Sequence, residues 1–163
     1  MKAAKTLILI FIVCLFTRPA FAGEPVSLVI GKNLKVGMPM KDVIALLGIP
    51  DKFDINRGTE PQTDSLAIEY PAHGVVIHTL NKKTTVEQIE VLSSFKGSFA
   101  EGVAIGAKFN DLIAKYGTPS SLNAQMARYP DHGMFFQLEK DVLISARVFA
   151  KDSKILDLQL IKR

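Results

Sequence analysis

The 163-residue sequence has no tryptophan and a single cysteine, Cys14. Cys14 lies in an apolar run near the N-terminus, so the rest of the chain has no thiol for a disulfide, a thiolate nucleophile or a cysteine-containing metal site. The core alone must therefore hold the fold together. This is feasible, because a chain of about 150 residues buries roughly 68–70% of its unfolded surface.

Patterns typical of common enzyme classes are also missing. The sequence has no G-x-S-x-G elbow, no Walker loop and no H-E-x-x-H or H-x-x-x-H spacing. Its glycines lie at predicted helix ends and turns and do not form a phosphate-binding cluster. We expect a protein that is not an enzyme and has no cofactor; a hydrolase of unknown type is the remaining enzymatic alternative.

The first 22 residues have the three parts of a secretory signal. Lys2 and Lys5 precede an apolar run over residues 6–16, and Ala20-Phe21-Ala22 ends the segment. The run is shorter than the about 20 apolar residues that cross a bilayer. We predict cleavage near Ala22 and a periplasmic or secreted protein without a membrane span after cleavage.

Removal of this leader changes the charge of the protein. The leader holds three of the 20 Lys and Arg residues and none of the 16 Asp and Glu residues, which leaves a net charge of +1 on residues 23–163. A nearly neutral protein has no general attraction for nucleic acid or an anionic membrane. We expect no nucleic-acid partner.

Two pairs of segments repeat along the chain. GMPMKDVIALLGIP, residues 37–50, aligns with GAKFNDLIAKYGTP, residues 106–119, at an offset of 69. YPAHG at 70–74 and YPDHG at 129–133 follow at an offset of 59, so the first copy holds ten extra residues. The sequence predicts a leader over 1–22, a first repeat over 23–98 and a second repeat over 99–163.

Each first segment has apolar residues at i, i+3, i+4 and i+7, the spacing of one helical face. They are Met40, Val43, Ile44 and Leu47 in the first copy and Phe109, Leu112, Ile113 and Tyr116 in the second. A glycine directly after each stripe and a proline two residues later are typical of a helix end. The pattern predicts two short helices whose stripes, including Ile44 and Ile113, face the core.

Alternation of apolar and polar residues predicts strands over 66–70, 75–80, 86–92, 134–138, 142–149 and 155–161. The Y-P-x-H-G segments predict tight turns between strands. Such alternation is typical of an antiparallel sheet with one face on a core. The expected class is α+β: two tandem copies of a short helix plus an antiparallel β-meander, with the helices packed on one face of the sheet.

Two polar segments are predicted as connections. Residues 51–65 contain the ten extra residues of the first copy, and residues 93–102 join the copies. Loops of this length are typically functional or mobile, and we expect mobility. If binding specificity exists, it should lie where the copies differ, which makes Asp54, Asn56, Arg57 and Glu60 candidate binding residues.

The histidines are the other candidates. His73 and His132 occupy the same place in the two Y-P-x-H-G turns, and His78 follows five residues after the first. We count His73 and His132 as candidate binding residues. Imidazole binds zinc, copper and nickel, so the three histidines also define an alternative, a periplasmic metal- or small-ligand-binding protein. Duplication of a turn together with its histidine explains the same symmetry without a ligand.

The pattern G-M-x-x-x-x-V-x-x-L-x-G-x-P before a predicted meander is similar to that of the SmpA/OmlA outer-membrane assembly lipoproteins. Its tandem occurrence resembles the β-lactamase inhibitor protein (BLIP-like) superfamily, and the resemblance covers residues 34–92 and 103–149. It implies a protein that acts by protein–protein contact without catalysis. The sequence departs from these families: it lacks the lipoprotein cysteine and the inhibitor's cysteine pairs, and Pro39 and Lys108 replace the usual Ser or Thr cap.

No binding residue is carried over from the resemblance. Together with the leader and the missing catalytic patterns, it leads us to expect a secreted or periplasmic protein-binding module, envelope-associated or inhibitor-like. The expected partner is another protein of the cell envelope or exterior.

Overall fold

The computed structural model describes residues 27–58, 60–123 and 125–155. The predicted leader over 1–22 lies outside these ranges, as does the predicted strand over 155–161 except Ile155, which is helical. The elements of the described chain are β1 (Val29–Ile30), α1 (Met40–Leu47), β2 (Lys52–Asn56), β3 (Ser65–Tyr70), β4 (Val75–Leu80), β5 (Gln88–Val91), β6 (Ser98–Phe99), α2 (Phe109–Tyr116), β7 (Ser121–Leu122), β8 (Met126–Tyr129), β9 (Met134–Glu139) and β10 (Val142–Phe149). Short 3₁₀ turns span Pro61–Thr63, Pro71–His73 and Pro130–His132.

Eight of the strands form one antiparallel sheet in the order β2-β3-β4-β5-β10-β9-β8-β7. At its centre β5 pairs with β10, with Ile89 opposite Val148. The remaining two strands, β1 and β6, pair in parallel through Val29–Ser98 and Ile30–Phe99. Strands from both sequence repeats therefore belong to a single sheet, whose two edges are β2 and β7.

The predicted α+β class with two tandem helix-plus-meander copies is wrong. The protein is mostly β, because an eight-stranded antiparallel sheet and a small parallel sheet dominate it. Two α-helices lie wholly within the described chain, each of eight residues. The helices have strong sequence patterns of stripe, glycine and proline, whereas two-residue strands such as β1, β6 and β7 show no periodicity. The pattern therefore overstated the helical part of the fold.

Both helices begin and end at the predicted residues. The backbone N–H groups of Gly48 and Gly117 each donate to a carbonyl oxygen four residues earlier, at 2.9 Å. Both glycines have positive φ, which a residue without a Cβ adopts at little cost. No helix of the described ranges combines the length and the apolar character needed to cross a membrane.

The helices bury fewer residues than their stripes predicted. The buried side chains are Val43 and Leu47 on α1 and Leu112 and Tyr116 on α2. Ile44 and Ile113 are 46% and 38% exposed, so their predicted place in the core is wrong. A helix of eight residues makes little more than two turns, and its i, i+4 pair is what reaches the sheet.

The main core lies between the helices and one face of the sheet. Ile68, Ile77, Ile89 and Val148 are register partners on four adjacent strands, and each is at most 5% exposed. Burial of each such side chain contributes about 1.5–3 kcal/mol to the free energy of unfolding. On the opposite face lies a smaller cluster of Leu80, Phe135, Phe149 and Ile155.

Residues 93–102 are not the mobile connection predicted. Phe95 and Phe99 are 4% and 0% exposed, and Phe99 pairs with Ile30 in the small parallel sheet. The Phe99 ring meets that of Phe136 edge-on, with centroids 5.5 Å apart. The serines and glycines around these two aromatic residues gave the segment its polar composition and concealed its part in the core.

Candidate functional site

The segment with the ten extra residues forms a strand and a structured turn. In β2, Phe53 lies opposite Ile68 and Ile55 opposite Leu66 of β3. The prediction of a connection over 51–65 is therefore wrong in its first half. The alternation in the sequence KFDIN was the available signal of a strand, but the polar residues on both sides outweighed it.

β2 is an edge strand with an exposed apolar face. Phe53 and Ile55 lie on the same side of the sheet as Ile68 and Leu66, but they are 58% and 66% exposed. Within the described chain β2 pairs with β3 alone, so the backbone groups on its other side face outward. We call this strand, with Phe53 and Ile55, the β2 edge. Ile49, three residues before it, is 90% exposed.

The opposite edge of the sheet is built differently. β7 has only two residues. Its Leu122 corresponds to Phe53 at the repeat offset of 69 residues and is 53% exposed. Very short edge strands are one way in which proteins prevent pairing with a foreign strand. β2 has five residues, contains no proline and keeps a continuous register with β3. One edge is thus protected by its shortness, and the other is unpaired among the residues that the structure describes.

The polar face of β2 carries charges that compensate one another. Lys52 forms an ion pair with Asp54 and a second, at 3.5 Å, with Glu69 of β3. The hydrogen bond between Lys52 and Asp54 is the main reason why the pKa of Lys52 is raised and that of Asp54 is lowered. Exposed pairs of this kind contribute little to stability, because water and salt screen them. They leave the polar face of the edge without a strong net charge.

Asp64 fixes the turn that follows β2. Its carboxylate accepts hydrogen bonds from Arg57 Nη1 at 2.7 Å and from the Gly58 backbone N–H at 2.9 Å. These two donors, the Gly58 N–H first, lower the pKa of Asp64. Asn81, just after β4, donates its backbone N–H to the Asp64 carbonyl oxygen at 2.8 Å and its side-chain amide to the Pro61 carbonyl oxygen at 2.9 Å. The turn is anchored to the sheet and is not the mobile loop predicted.

A cavity of about 320 Å³ opens beside the end of β2. This volume lies at the small end of the range of about 300–1,000 Å³ for ligand sites. The residues that line it include the apolar Ile55 and Leu66, the cations Arg57, Lys82 and Lys83, and the carboxylate Asp64. An apolar wall beside several cations suits a ligand group that is apolar at one end and anionic at the other.

The structure places four of the candidate binding residues together. Asp54 and Asn56 belong to β2, and Arg57 and Glu60 belong to the turn after it. Asp54 is half-buried, and the other three are exposed. The neighbouring Phe53 and Ile55 were missed, because a search among polar residues passes over apolar side chains whose exposure depends on the tertiary fold.

The other two candidates, His73 and His132, support the helices. His73 lies with Nε2 3.2 Å from the carbonyl oxygen of Leu47, at the end of α1. The His132 ring meets that of Tyr116, at the corresponding place in α2, with centroids 5.7 Å apart. The 3₁₀ turns Pro71–His73 and Pro130–His132 therefore each pack against the end of a helix. This contact gives the repeated histidines a structural role that needs no ligand.

His78 lies on the sheet face opposite the helices. Its Nε2 is 3.5 Å from the Glu90 carboxylate, which also pairs with Arg147 at 3.3 Å. The His78 ring first, and then the Arg147 guanidinium, hold the pKa of Glu90 below its usual range. Among the residues that the structure describes, no three His, Cys, Asp or Glu side chains form a group that could hold a metal ion.

Comparison of the chain with protein-family models, curated proteins and solved structures gives no match. The resemblance to the SmpA/OmlA and BLIP-like families stays a prediction. The features on which a function can be based are the open β2 edge, its exposed apolar side chains and the cation-lined cavity beside it.

Proposed function

We propose that the protein is a non-enzymatic protein-binding module of the periplasm or cell exterior that binds an extended segment of a partner protein at the β2 edge. The observation that carries the proposal is the exposure of Phe53 and Ile55 on a five-residue edge strand. A partner strand paired with β2 would satisfy its outward backbone groups and cover both side chains.

The exposed apolar surface supplies the driving force for this binding. Covering two side chains that are about three-fifths exposed contributes about 1–2 kcal/mol each. Each new backbone hydrogen bond adds a net of about 0.5–1.5 kcal/mol. Ordering an extended segment opposes these gains. We therefore expect an isolated segment to bind with an affinity on the order of micromolar.

Features of the sequence support the same class of function. The leader over residues 1–22 has the parts of a secretory signal, which favours a partner in the cell envelope or exterior. The resemblance to families that act by protein–protein contact favours binding over catalysis. The β2 edge also lies where the two sequence repeats differ, in the segment with the ten extra residues.

Site-specific photocrosslinking tests the proposal, and β7 provides its control. A photoreactive phenylalanine analogue replaces Phe53 in one variant and Leu122 in another, since both side chains are more than half exposed on edge strands. After irradiation in cells, the Phe53 variant should crosslink to one discrete protein, at one short segment of it. The Leu122 variant should give no such product.

A synthetic peptide of the crosslinked segment completes the test. It should bind the purified protein and bind the Phe53→Lys variant at least about tenfold more weakly, because a lysine on the edge strand opposes strand addition. Equal crosslinking at both edges, or peptide binding that Phe53→Lys leaves unchanged, would overturn the proposal.

A further inference from the structure

We infer that the partner segment presents a carboxylate to the cavity at the end of β2, close to an apolar side chain of the same segment. This inference rests on the proposed strand addition and names the chemistry of the partner. Its basis is that the open strand edge and the cation-lined cavity share a residue, Ile55.

The cavity begins at the end of β2 and extends towards β3 and β4. Ile55, Leu66 and Thr79 are register partners on β2, β3 and β4, and all three line the cavity. They lie on the same face of the sheet as Phe53, because side chains two residues apart on a strand share a face. A segment paired with β2 lies on the side of β2 away from β3. Past Ile55 it reaches the cavity by turning across the end of β2 towards β3.

The charges of the lining favour an anion. The lining contains three cations and one carboxylate: Arg57, Lys82 and Lys83 against Asp64. Lys83 is compensated from outside it by Glu87, a residue only 4% exposed. Lys82 is exposed and forms no ion pair within the described ranges. One cation beside the cavity is thus left without a counter-charge.

Arg57 provides the second contact for a carboxylate. Its Nη1 donates a hydrogen bond to the Asp64 carboxylate, and its side chain is 78% exposed. A guanidinium has five N–H donors, so donors remain for a second oxygen ligand. A carboxylate between Arg57 and Lys82 would gain two charge-assisted hydrogen bonds, which are about twice as strong as neutral ones.

The apolar wall specifies the neighbour of this carboxylate. Ile55 and Leu66, on one face of the sheet, line the cavity together with the cations. An aliphatic side chain next to the acid can therefore enter while the acid stays at the rim. The carboxylate has two sources with the same chemistry, an Asp or Glu side chain within the segment or the C-terminal carboxylate of the partner.

Selection from random-peptide display libraries tests this inference. One library ends in a free C-terminus and a second is fused at both ends, so only the first offers a terminal carboxylate. Each is selected on the unmodified protein, on Lys82→Glu and on Phe53→Lys. Lys96→Glu is the matched control, because Lys96 is exposed and does not line the cavity. Thermal unfolding checks that all variants are folded.

The expected result is an enriched pool of peptides in which every second residue is apolar and an acidic residue stands at one end. Enrichment in the doubly fused library identifies a side-chain carboxylate, and enrichment at the free C-terminus alone identifies the terminal one. The Lys82→Glu variant should select peptides with a basic residue in place of the acidic one. The Lys96→Glu variant should select the same acidic peptides as the unmodified protein. In a selected peptide, exchange of the acid for its amide should weaken binding about tenfold.

The outcomes separate this inference from the proposed function. A pool that depends on Phe53 but contains no acid, or whose acid is retained on Lys82→Glu, overturns the carboxylate inference and leaves strand addition standing. A pool that Phe53→Lys selects equally well, or no enriched pool at all, overturns both.

Discussion

Phe53 lies directly opposite Ile68 in the ladder between β2 and β3, yet Phe53 is 58% exposed and Ile68 only 4%. The two residues share one face of the sheet. The core under the helices includes Ile68 and does not include Phe53. The apolar face of the sheet therefore continues beyond the core, and a large aromatic side chain is left in water at its edge.

Substitutions of these two residues should have very different costs. Ile68→Ala should lower the free energy of unfolding by about 2–5 kcal/mol, because it leaves a cavity in the core. Phe53→Ala should lower it by less than about 1 kcal/mol, since a largely exposed side chain contributes little. Chemical denaturation measures both. Equal losses would contradict the exposed position of Phe53 outside the core.

Asp64 should make stability depend on acid pH. The pKa of Asp64 is lowered in the folded protein, so its contribution is complete above the ordinary value of 3.8 and is lost as the pH falls through the folded value. The Asp64→Asn variant lacks this contribution. The difference in the free energy of unfolding between Asp64→Asn and the unmodified protein should therefore be largest at neutral pH and shrink below about pH 4. A difference that is constant with pH would show that the carboxylate charge does not hold the turn.

Tyr116 should limit stability at alkaline pH. Burial first, and then the carboxylate of Glu101, raise the pKa of Tyr116 from 10.0 to about 12. Because the folded value is raised, stability is complete below pH 10 and is lost as the pH rises towards 12.

The phenolate absorbance of the folded protein measures this titration. Tyr116→Phe should remove the component near pH 12, and its stability should fall less steeply above pH 10. Titration of all three tyrosines near pH 10 in the folded protein would contradict the buried environment of Tyr116.

Two glycines with positive φ should respond differently to alanine. A Cβ on Gly74 would lie 2.4 Å from the backbone nitrogen of Phe95, whereas a Cβ on Gly102 would meet nothing within 4 Å. Gly102→Ala should cost about 1 kcal/mol, the price of positive φ alone. Gly74→Ala should cost at least about 3 kcal/mol, because the backbone at Phe95 must also shift. Thermal unfolding compares the two variants. Similar costs would contradict the close approach of Gly74, at the end of the turn Pro71–His73, to Phe95.

The sequence predicted the elements whose patterns are local. The helices at Met40–Leu47 and Phe109–Tyr116 and the strands Val75–Leu80 and Val142–Phe149 are confirmed at their predicted bounds. The pairing of β5 with β10, which joins both repeats in one sheet, is a long-range contact that no local pattern contains. The fold class was wrong for this reason and because the shortest strands show no alternation.

The sequence pointed to the segment in which we propose the site, but not to the side chains on which the proposal rests. Divergence between the repeats directed attention to residues 51–65, where β2 and the Asp64 turn lie. Phe53 and Ile55 were missed because their exposure depends on where the core ends. That boundary follows from how far the helices cover the sheet, which is a property of the assembled fold.

Amide hydrogen exchange across residues 52–56, with and without the bound partner segment, tests strand addition most directly. The outward amides of β2 should exchange at least about tenfold more slowly in the complex, because they become hydrogen-bonded to the added strand, while exchange at Ser121 and Leu122 of β7 should not change. Unchanged exchange in β2 while the segment is bound would contradict the account.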